Sequence, residues 1–155
     1  MKALLKVVLV EPRIPPNTGN IARLCAANDF ELHLVGKLGF SLDDKDLKRA
    51  GLDYWEHVKL FRHDSFETFV KLQKDVSRIF LFSKSGPKSF FDIDFKDGDI
   101  LVFGPEDKGL PKEILLRYPS QLVGIPMQTN NVRSLNLSSA VAVATYEAMR
   151  QIMNK

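Results

Sequence analysis

The chain has 155 residues, of which 45% are hydrophobic and 26% are charged. These proportions exclude a disordered or low-complexity chain and suit one domain with a sizeable core. The net charge of +3 permits a nucleic-acid partner without requiring one, because 22 basic residues are interleaved with 19 acidic ones.

Cys25 is the only cysteine, so an internal disulfide cannot form, and its place in a helical pattern predicts a small buried hydrophobic side chain. The N-terminal apolar run is short, is interrupted by Lys6 and meets Glu11-Pro12, which argues against a signal peptide. No segment approaches the roughly 20 apolar residues of a membrane-spanning helix. We therefore expect a cytoplasmic protein without a membrane partner.

Apolar runs of strand length alternate with helical patterns, which predicts an α/β fold with a parallel sheet flanked by helices. The predicted strands are Leu4–Val10, Leu32–Val35, Val58–Phe61, Ile79–Phe82, Asp99–Phe103 and Gln121–Gly124. The polar stretch Ser83–Phe95 contains Gly86-Pro87 and is predicted to be a long loop that could include a short edge strand.

The predicted helices run from Asn17 to about Asn28, from Leu42 to Gly51, from Ser65, from Pro111, and from Asn136 to about Met153. Asn17 or Thr18 can cap the first helix and Ser41 the second, because short polar side chains accept hydrogen bonds from the first helical turn. The last helix carries small and apolar residues at helical spacing, so one of its faces should lie in the core.

Two loops rich in Gly, Pro, Ser and Asn follow the last two predicted strands, over 104–111 and 125–138. Ligand sites of parallel sheets lie beyond the carboxyl ends of the strands, so these loops predict a site built largely from backbone groups. Gly104 and Gly109 have the spacing of a P-loop, but Leu110-Pro111 stand where that motif needs Lys and Ser or Thr. The alternative is a purely structural turn.

The sequence contains no pattern typical of a metal site or of a hydrolase active site. The acidic residues at 43–46 fall in the first turn of a predicted helix, where the helix dipole favours them. His33, His57 and His63 are scattered without zinc-ligand spacing, and Ser134 lacks the context of a hydrolase nucleophile. No metal is predicted.

A series of blocks resembles the SPOUT-class RNA 2′-O-ribose methyltransferases, most closely the small family that modifies the wobble position of tRNA. The blocks are Asn17–Arg23, Leu38–Lys45, Arg49–Tyr54, Phe103–Pro111, Ile125–Met127 and Arg133–Ser138. The resemblance runs from about Leu9 to Gln151. It implies a homodimer, S-adenosylmethionine as methyl donor with S-adenosylhomocysteine as product, a tRNA substrate and a deep trefoil knot in the C-terminal third. It also implies one domain over 1–155, without an appended RNA-binding domain.

The resemblance implies that the cofactor pocket contains Phe82, Gly104, Ile125 and Ser134. We add Gly109, which together with Gly104 allows close backbone approach, and Leu135, which could sandwich an adenine face with Ile125. Without an appended RNA-binding domain the dimer surface must contact the RNA phosphates, and the candidates are Lys45, Arg49 and Arg133, with Lys37 and Lys48 as further ones. Each basic residue could instead belong to an ordinary solvated surface.

The family motif places the catalytic arginine at Arg23, on the side of its helix opposite Ile21 and Cys25. Because arginine does not lose its proton, we interpret Arg23 as a group that holds RNA phosphate and stabilises the developing alkoxide. The alternative is a solvated helix arginine, and action within one subunit or across a dimer stays open. Two other functions also stay open: methylation of another RNA nucleoside, and RNA binding by a knotted protein without catalysis.

Overall fold

The computed structural model describes residues 4–154, apart from the side chains of 51–53. The strands are β1 (Leu5–Val10), β2 (Glu31–Val35), β3 (Lys59–His63), β4 (Ile79–Phe82), β5 (Lys88–Ser89), β6 (Asp99–Phe103) and β7 (Leu122–Gly124). They form one sheet in the order β3-β2-β1-β6-β4-β7-β5, and every neighbouring pair is parallel. The predicted parallel sheet is confirmed.

Helices cover both faces of the sheet. They are α1 (Pro15–Asn28), α2 (Lys45–Gly51), α3 (Phe66–Lys71), α4 (Lys112–Arg117) and α5 (Leu137–Met153). Residues of α1 and α5 share one core cluster, and residues of α3 and α4 share the other. Successive residues of β1 belong to alternate clusters, as expected for a strand buried on both faces. No helix of the described residues is long and apolar enough to cross a membrane.

Two predictions about the core are confirmed. Cys25 is fully buried, and burial raises the pKa of its thiol to about 12, so the side chain remains an uncharged core residue. The small-residue face of α5 packs into the same cluster, where Val141, Ala144 and Ala148 are fully buried.

The predicted starts of two helices are wrong. Helix α1 begins at Pro15, and neither Asn17 nor Thr18 caps it, because both are buried within the helix itself. Helix α2 begins at Lys45 rather than Leu42. Its first turn is capped by the Asp44 carboxylate, which accepts hydrogen bonds from the backbone N–H groups of residues 46 and 47 at 2.8 and 3.1 Å.

The third strand is shifted from its predicted position, with a consequence for two histidines. Because β3 extends to His63, it brings that ring beside His33 of the neighbouring strand, with 2.8 Å between Nδ1 of His33 and Nε2 of His63. Nε2 of His33 lies 2.8 Å from the Glu31 carboxylate, and burial lowers the pKa of both imidazoles. His33 and His63 therefore lie side by side, although they are 30 positions apart in the sequence.

Within residues 4–154, no group of three or more His, Cys, Asp or Glu side chains is arranged to hold a metal ion.

A buried ion pair joins the amino ends of β4 and β6. Arg78 donates from Nε and Nη2 to the two carboxylate oxygens of Asp99 at 2.7 and 2.6 Å. The Asp99 side chain is 1% exposed, whereas that of Arg78 is 28% exposed. The pair therefore fixes two neighbouring strands in register from a largely water-excluded position.

We predict that Arg78→Ala lowers the free energy of unfolding by about 3 kcal/mol, because Asp99 keeps a buried charge without its main partner. The control is Arg117→Ala, which breaks an exposed pair with Glu67 of similar length (2.8 Å) and should cost less than about 1 kcal/mol. Urea unfolding measures both. Equal losses for the two variants would contradict the role of burial.

Candidate functional site

A cleft of about 570 Å³ lies where the carboxyl ends of β6, β4 and β7 meet. These three strands are adjacent in the sheet, so the loops that follow them converge at one edge. The N-terminal ends of α1 and α5 complete the walls, with Asn17 from the first helix and Leu137 from the second. The size is typical of a small-molecule site.

The structure brings all the predicted cofactor residues into this cleft. Its lining includes Phe82, Gly104, Gly109, Ile125, Ser134 and Leu135. They come from loops that are far apart in the sequence and meet only because of the strand order. Their contact with a cofactor stays a prediction.

Glycine is favoured at two positions of the loop after β6, for a different physical reason at each. A Cβ at Gly104 would lie 2.3 Å from the backbone nitrogen of Leu110, so this position admits no side chain. Gly104 therefore allows close approach of the loop's own backbone, and its close approach to a cofactor stays a prediction. Gly109 has open space around it and a φ of +68°, which favours glycine through backbone conformation alone.

The cleft combines apolar walls with polar and charged groups. Phe82 stacks on Phe103, with ring centroids 4.8 Å apart and 17° between the planes. Ile125 and Leu135 add aliphatic surface that is partly exposed to the cleft. The charged lining residues are Lys84, Glu106, Asp107, Lys108 and Arg133. A ligand with a flat apolar face and a charged end fits this distribution.

Glu106 is a central residue of the site that sequence reasoning did not assign. One of its carboxylate oxygens accepts from the backbone N–H of Arg13 at 2.8 Å. The other accepts from the backbone N–H of Ile14 at 2.8 Å and from the Asn17 side-chain amide at 3.2 Å. Glu106 therefore provides the negative charge that favours the N-terminus of α1, in place of a local cap.

The same network continues to α5. The side-chain amide of Asn136 donates to the side-chain oxygen of Asn17 at 3.1 Å. The side-chain oxygen of Asn136 accepts from the backbone N–H of Ser139 at 3.2 Å and so caps α5. A single chain of hydrogen bonds thus joins the loop after β6 to the first turns of both helices that border the cleft.

The sequence signal for Glu106 was its place in the Gly-Pro-Glu block, but nothing local indicated its role. Its partner Arg13 lies 93 positions away, and long-range pairs leave no periodic or spacing pattern.

The predicted catalytic and RNA-binding residues occupy different places. Arg133 lines the cleft and is exposed. Lys45 and Arg49 are exposed on α2, one helical turn apart, and are not part of the described cleft. Arg23 is exposed on α1 and also lies outside the cleft of its own chain.

We predict that Glu106→Gln lowers the free energy of unfolding by about 2 kcal/mol, because an amide cannot accept from both backbone N–H groups and carries no charge. It should also weaken binding of the predicted cofactor, S-adenosylmethionine, by roughly 3- to 10-fold, since the loop must then be ordered on binding. The control is Asp97→Asn, which neutralises an exposed carboxylate outside the cleft and should change neither quantity. Urea unfolding and titration calorimetry measure the two effects, and a Glu106→Gln variant that behaves like Asp97→Asn would contradict this role.

Comparisons with known proteins give a consistent result. The family model described as the SpoU rRNA Methylase family matches residues 4–146. The tRNA (cytidine(34)-2′-O)-methyltransferase of Escherichia coli strain K12 is 47% identical over 150 residues, covering 96% of this chain and 94% of that protein. The protein of the same name from Burkholderia cenocepacia is 49% identical and covers 96% of each.

Solved structures agree with the sequence relatives. The structure described as "Structural insights into the 2-OH methylation of C/U34 on tRNA" has a TM-score of 0.92 and 50% identity, covering 97% of each chain. The SpoU methyltransferase AviRb from Streptomyces viridochromogenes, in complex with the cofactor AdoMet, has a TM-score of 0.82 and 26% identity. That match covers 97% of this chain and 58% of AviRb.

Proposed function

The chain belongs to the SpoU rRNA methylase family, and on that premise we propose that it methylates the ribose 2′-hydroxyl of nucleotide 34 of tRNA, a cytidine or uridine, with S-adenosylmethionine as donor. The observation that carries the proposal is identity of 47–49% to two tRNA (cytidine(34)-2′-O)-methyltransferases over 96% of this chain. Since tRNA is the substrate, we expect a cytoplasmic location.

The cleft residues fit S-adenosylmethionine. Phe82, Ile125 and Leu135 offer apolar surface for an adenine ring, and the strand-end backbone offers donors and acceptors for its edge. When bound, the cofactor supplies a sulfonium methyl group, whose transfer breaks a C–S bond, forms a C–O bond at the ribose and leaves S-adenosylhomocysteine.

In this proposal Arg23 binds the RNA phosphate beside the reacting ribose and stabilises negative charge that develops on the 2′-oxygen. Arginine remains protonated, so the proton leaves to a phosphate oxygen or to water. Because Arg23 lies outside the cleft of its own chain, we propose that it serves the cleft of a second subunit.

A homodimer through the outer faces of α1 and α5 is part of the proposal. These helices lie side by side, and the Asn28 amide donates to the Tyr146 hydroxyl at 3.3 Å. Several large apolar side chains near this face are exposed: Ile14 (46%), Val143 (44%) and Tyr146 (49%). Exposed apolar side chains on adjacent helices are typical of a protein interface.

Binding of tRNA by the unit over 1–155 is also part of the proposal, with Lys45, Arg49 and Arg133 as the phosphate contacts.

We also propose that the C-terminal third forms the trefoil knot of the family. Its support is the close packing of the loop after β4 on β7. The Ser83 N–H donates to the Val123 carbonyl at 2.9 Å. A Cβ at Gly86 would lie 2.4 Å from the Val123 carbonyl carbon, as expected where two chain segments pass each other at minimal distance.

Incubation with an unmodified tRNA transcript and S-adenosylmethionine tests the function. We expect one 2′-O-methyl group at nucleotide 34, located by nuclease mapping and mass spectrometry. A methyl group at another nucleotide would favour the alternative methyltransferase. Cofactor binding without methylation of any RNA would favour a non-catalytic RNA-binding protein.

We predict that Arg23→Ala lowers turnover by about 100-fold or more, the scale for loss of one preorganised charge-stabilising group. Affinity for S-adenosylmethionine should remain near that of the wild type, because Arg23 is not part of the cleft. Arg23→Lys should recover part of the rate if charge alone matters, and little if the contact to phosphate is bidentate. Single-turnover kinetics and calorimetry measure both quantities, with Arg117→Ala as an exposed control. Wild-type turnover in Arg23→Ala would contradict this role and favour the alternative that Arg23 is an ordinary solvated helix residue.

We predict that Val143→Asp yields a folded monomer that binds S-adenosylmethionine and does not methylate tRNA, because a charge is placed in the apolar face of α5. The control is Leu116→Asp on α4, where the replaced side chain is 77% exposed and belongs to the other helical layer. Sedimentation velocity gives the assembly state. A folded and active wild-type monomer at micromolar concentration would contradict the dimer.

A further inference from the structure

The guanidinium of Arg23 lies over an aromatic ring. Its guanidinium carbon lies 5.1 Å from the centroid of the Tyr54 ring. This distance is within the range in which a ring face attracts a guanidinium. Arg23 has no hydrogen bond or ion pair with any side chain that the structure describes.

The position of the Tyr54 ring is set by its neighbour. Tyr54 lies in the short 3₁₀ turn Leu52–His57, which packs against α1. Trp55 of the same turn is partly buried against the main core cluster, and its carbonyl accepts from the Val58 N–H at 3.2 Å. The Tyr54 ring is thus held at the surface, with the residue 39% exposed, by an anchored turn.

We propose that Tyr54 is a positioning residue for Arg23, whose guanidinium it orients toward bound RNA phosphate. A carboxylate partner would also orient the arginine, but it would occupy N–H donors and offset the positive charge. The ring face occupies no donor and leaves the whole planar fork free for a phosphate. Without the ring, the long side chain would sample many rotamers and lose part of its alignment with the reacting ribose.

The inference rests on the proposed role of Arg23, and substitutions at residue 54 separate the ring from the hydroxyl. Tyr54→Phe keeps the face and should retain kcat within about 2-fold. Tyr54→Leu removes the face and should lower kcat by about 5-fold or more, with an unchanged KM for S-adenosylmethionine. Tyr54→Gln is a second ring-free variant for the case in which Leu at this half-exposed position impairs folding. Phe91→Leu, at a residue that is 63% exposed near the opposite edge of the sheet, is the control and should have no effect.

A double-mutant cycle with Arg23→Ala decides whether Tyr54 acts through Arg23. Tyr54→Leu should cause no further loss in the Arg23→Ala background. An equal loss in both backgrounds, or a loss in Tyr54→Phe as large as in Tyr54→Leu, would overturn the inference. An impaired Arg23→Ala with a fully active Tyr54→Leu would overturn the inference and leave the role of Arg23 intact. Wild-type turnover in Arg23→Ala would overturn both.

Discussion

The carboxylate of Glu106 is the interaction on which the site depends. Helix α1 starts with two prolines, which lack an N–H, so the donors just before them need an acceptor from outside the helix. Glu106 supplies it and thereby fixes α1 to the loop after β6. A helix is a stiff rod with a rise of about 1.5 Å per residue, so Arg23 lies roughly 13 Å along α1 from Ile14. A shift of the cleft loop would therefore move the helix that carries Arg23 as well.

Close backbone packing fixes the two loops that border the cleft. The loops after β4 and β6 each contain a glycine whose Cβ would meet backbone atoms closer than 2.5 Å: Gly86 against Val123, and Gly104 against Leu110. These positions cannot relax by rotating a side chain, so a substitution must move a strand end or a loop. The glycines of this region thus define the shape of the cleft before any ligand binds. Packing of the protein's own backbone is thus a sufficient physical reason for glycine at both positions.

The sequence predicted those features that rest on local pattern. Apolar runs located β1, β4 and β6, because strands buried on both faces need continuous hydrophobic residues. The loops rich in Gly, Pro, Ser and Asn after the last two strands predicted a site at this edge of the sheet, with a structural turn as the alternative. The resemblance to a known family then identified the individual cleft residues. Prediction from the sequence failed where a residue distant in the chain determines the local structure. The start of α1 depends on Glu106, and the His33–His63 pair depends on the register of β2 against β3. Neither of these two interactions produces a recognisable pattern within a short stretch of sequence.

Arg78 and Arg23 differ in how far the fold itself satisfies the charge of the guanidinium. Arg78 donates to both oxygens of Asp99, which neutralises it and uses its donors inside the fold. Arg23 faces a ring, which leaves its charge and donors without a competing anion among the described side chains. In the proposed role, an RNA phosphate that approaches Arg23 has no ion pair with the described side chains to break, whereas a phosphate at Arg78 would have to displace a buried carboxylate. The surroundings of each guanidinium, rather than residue type or exposure alone, determine which of the two is available to a substrate.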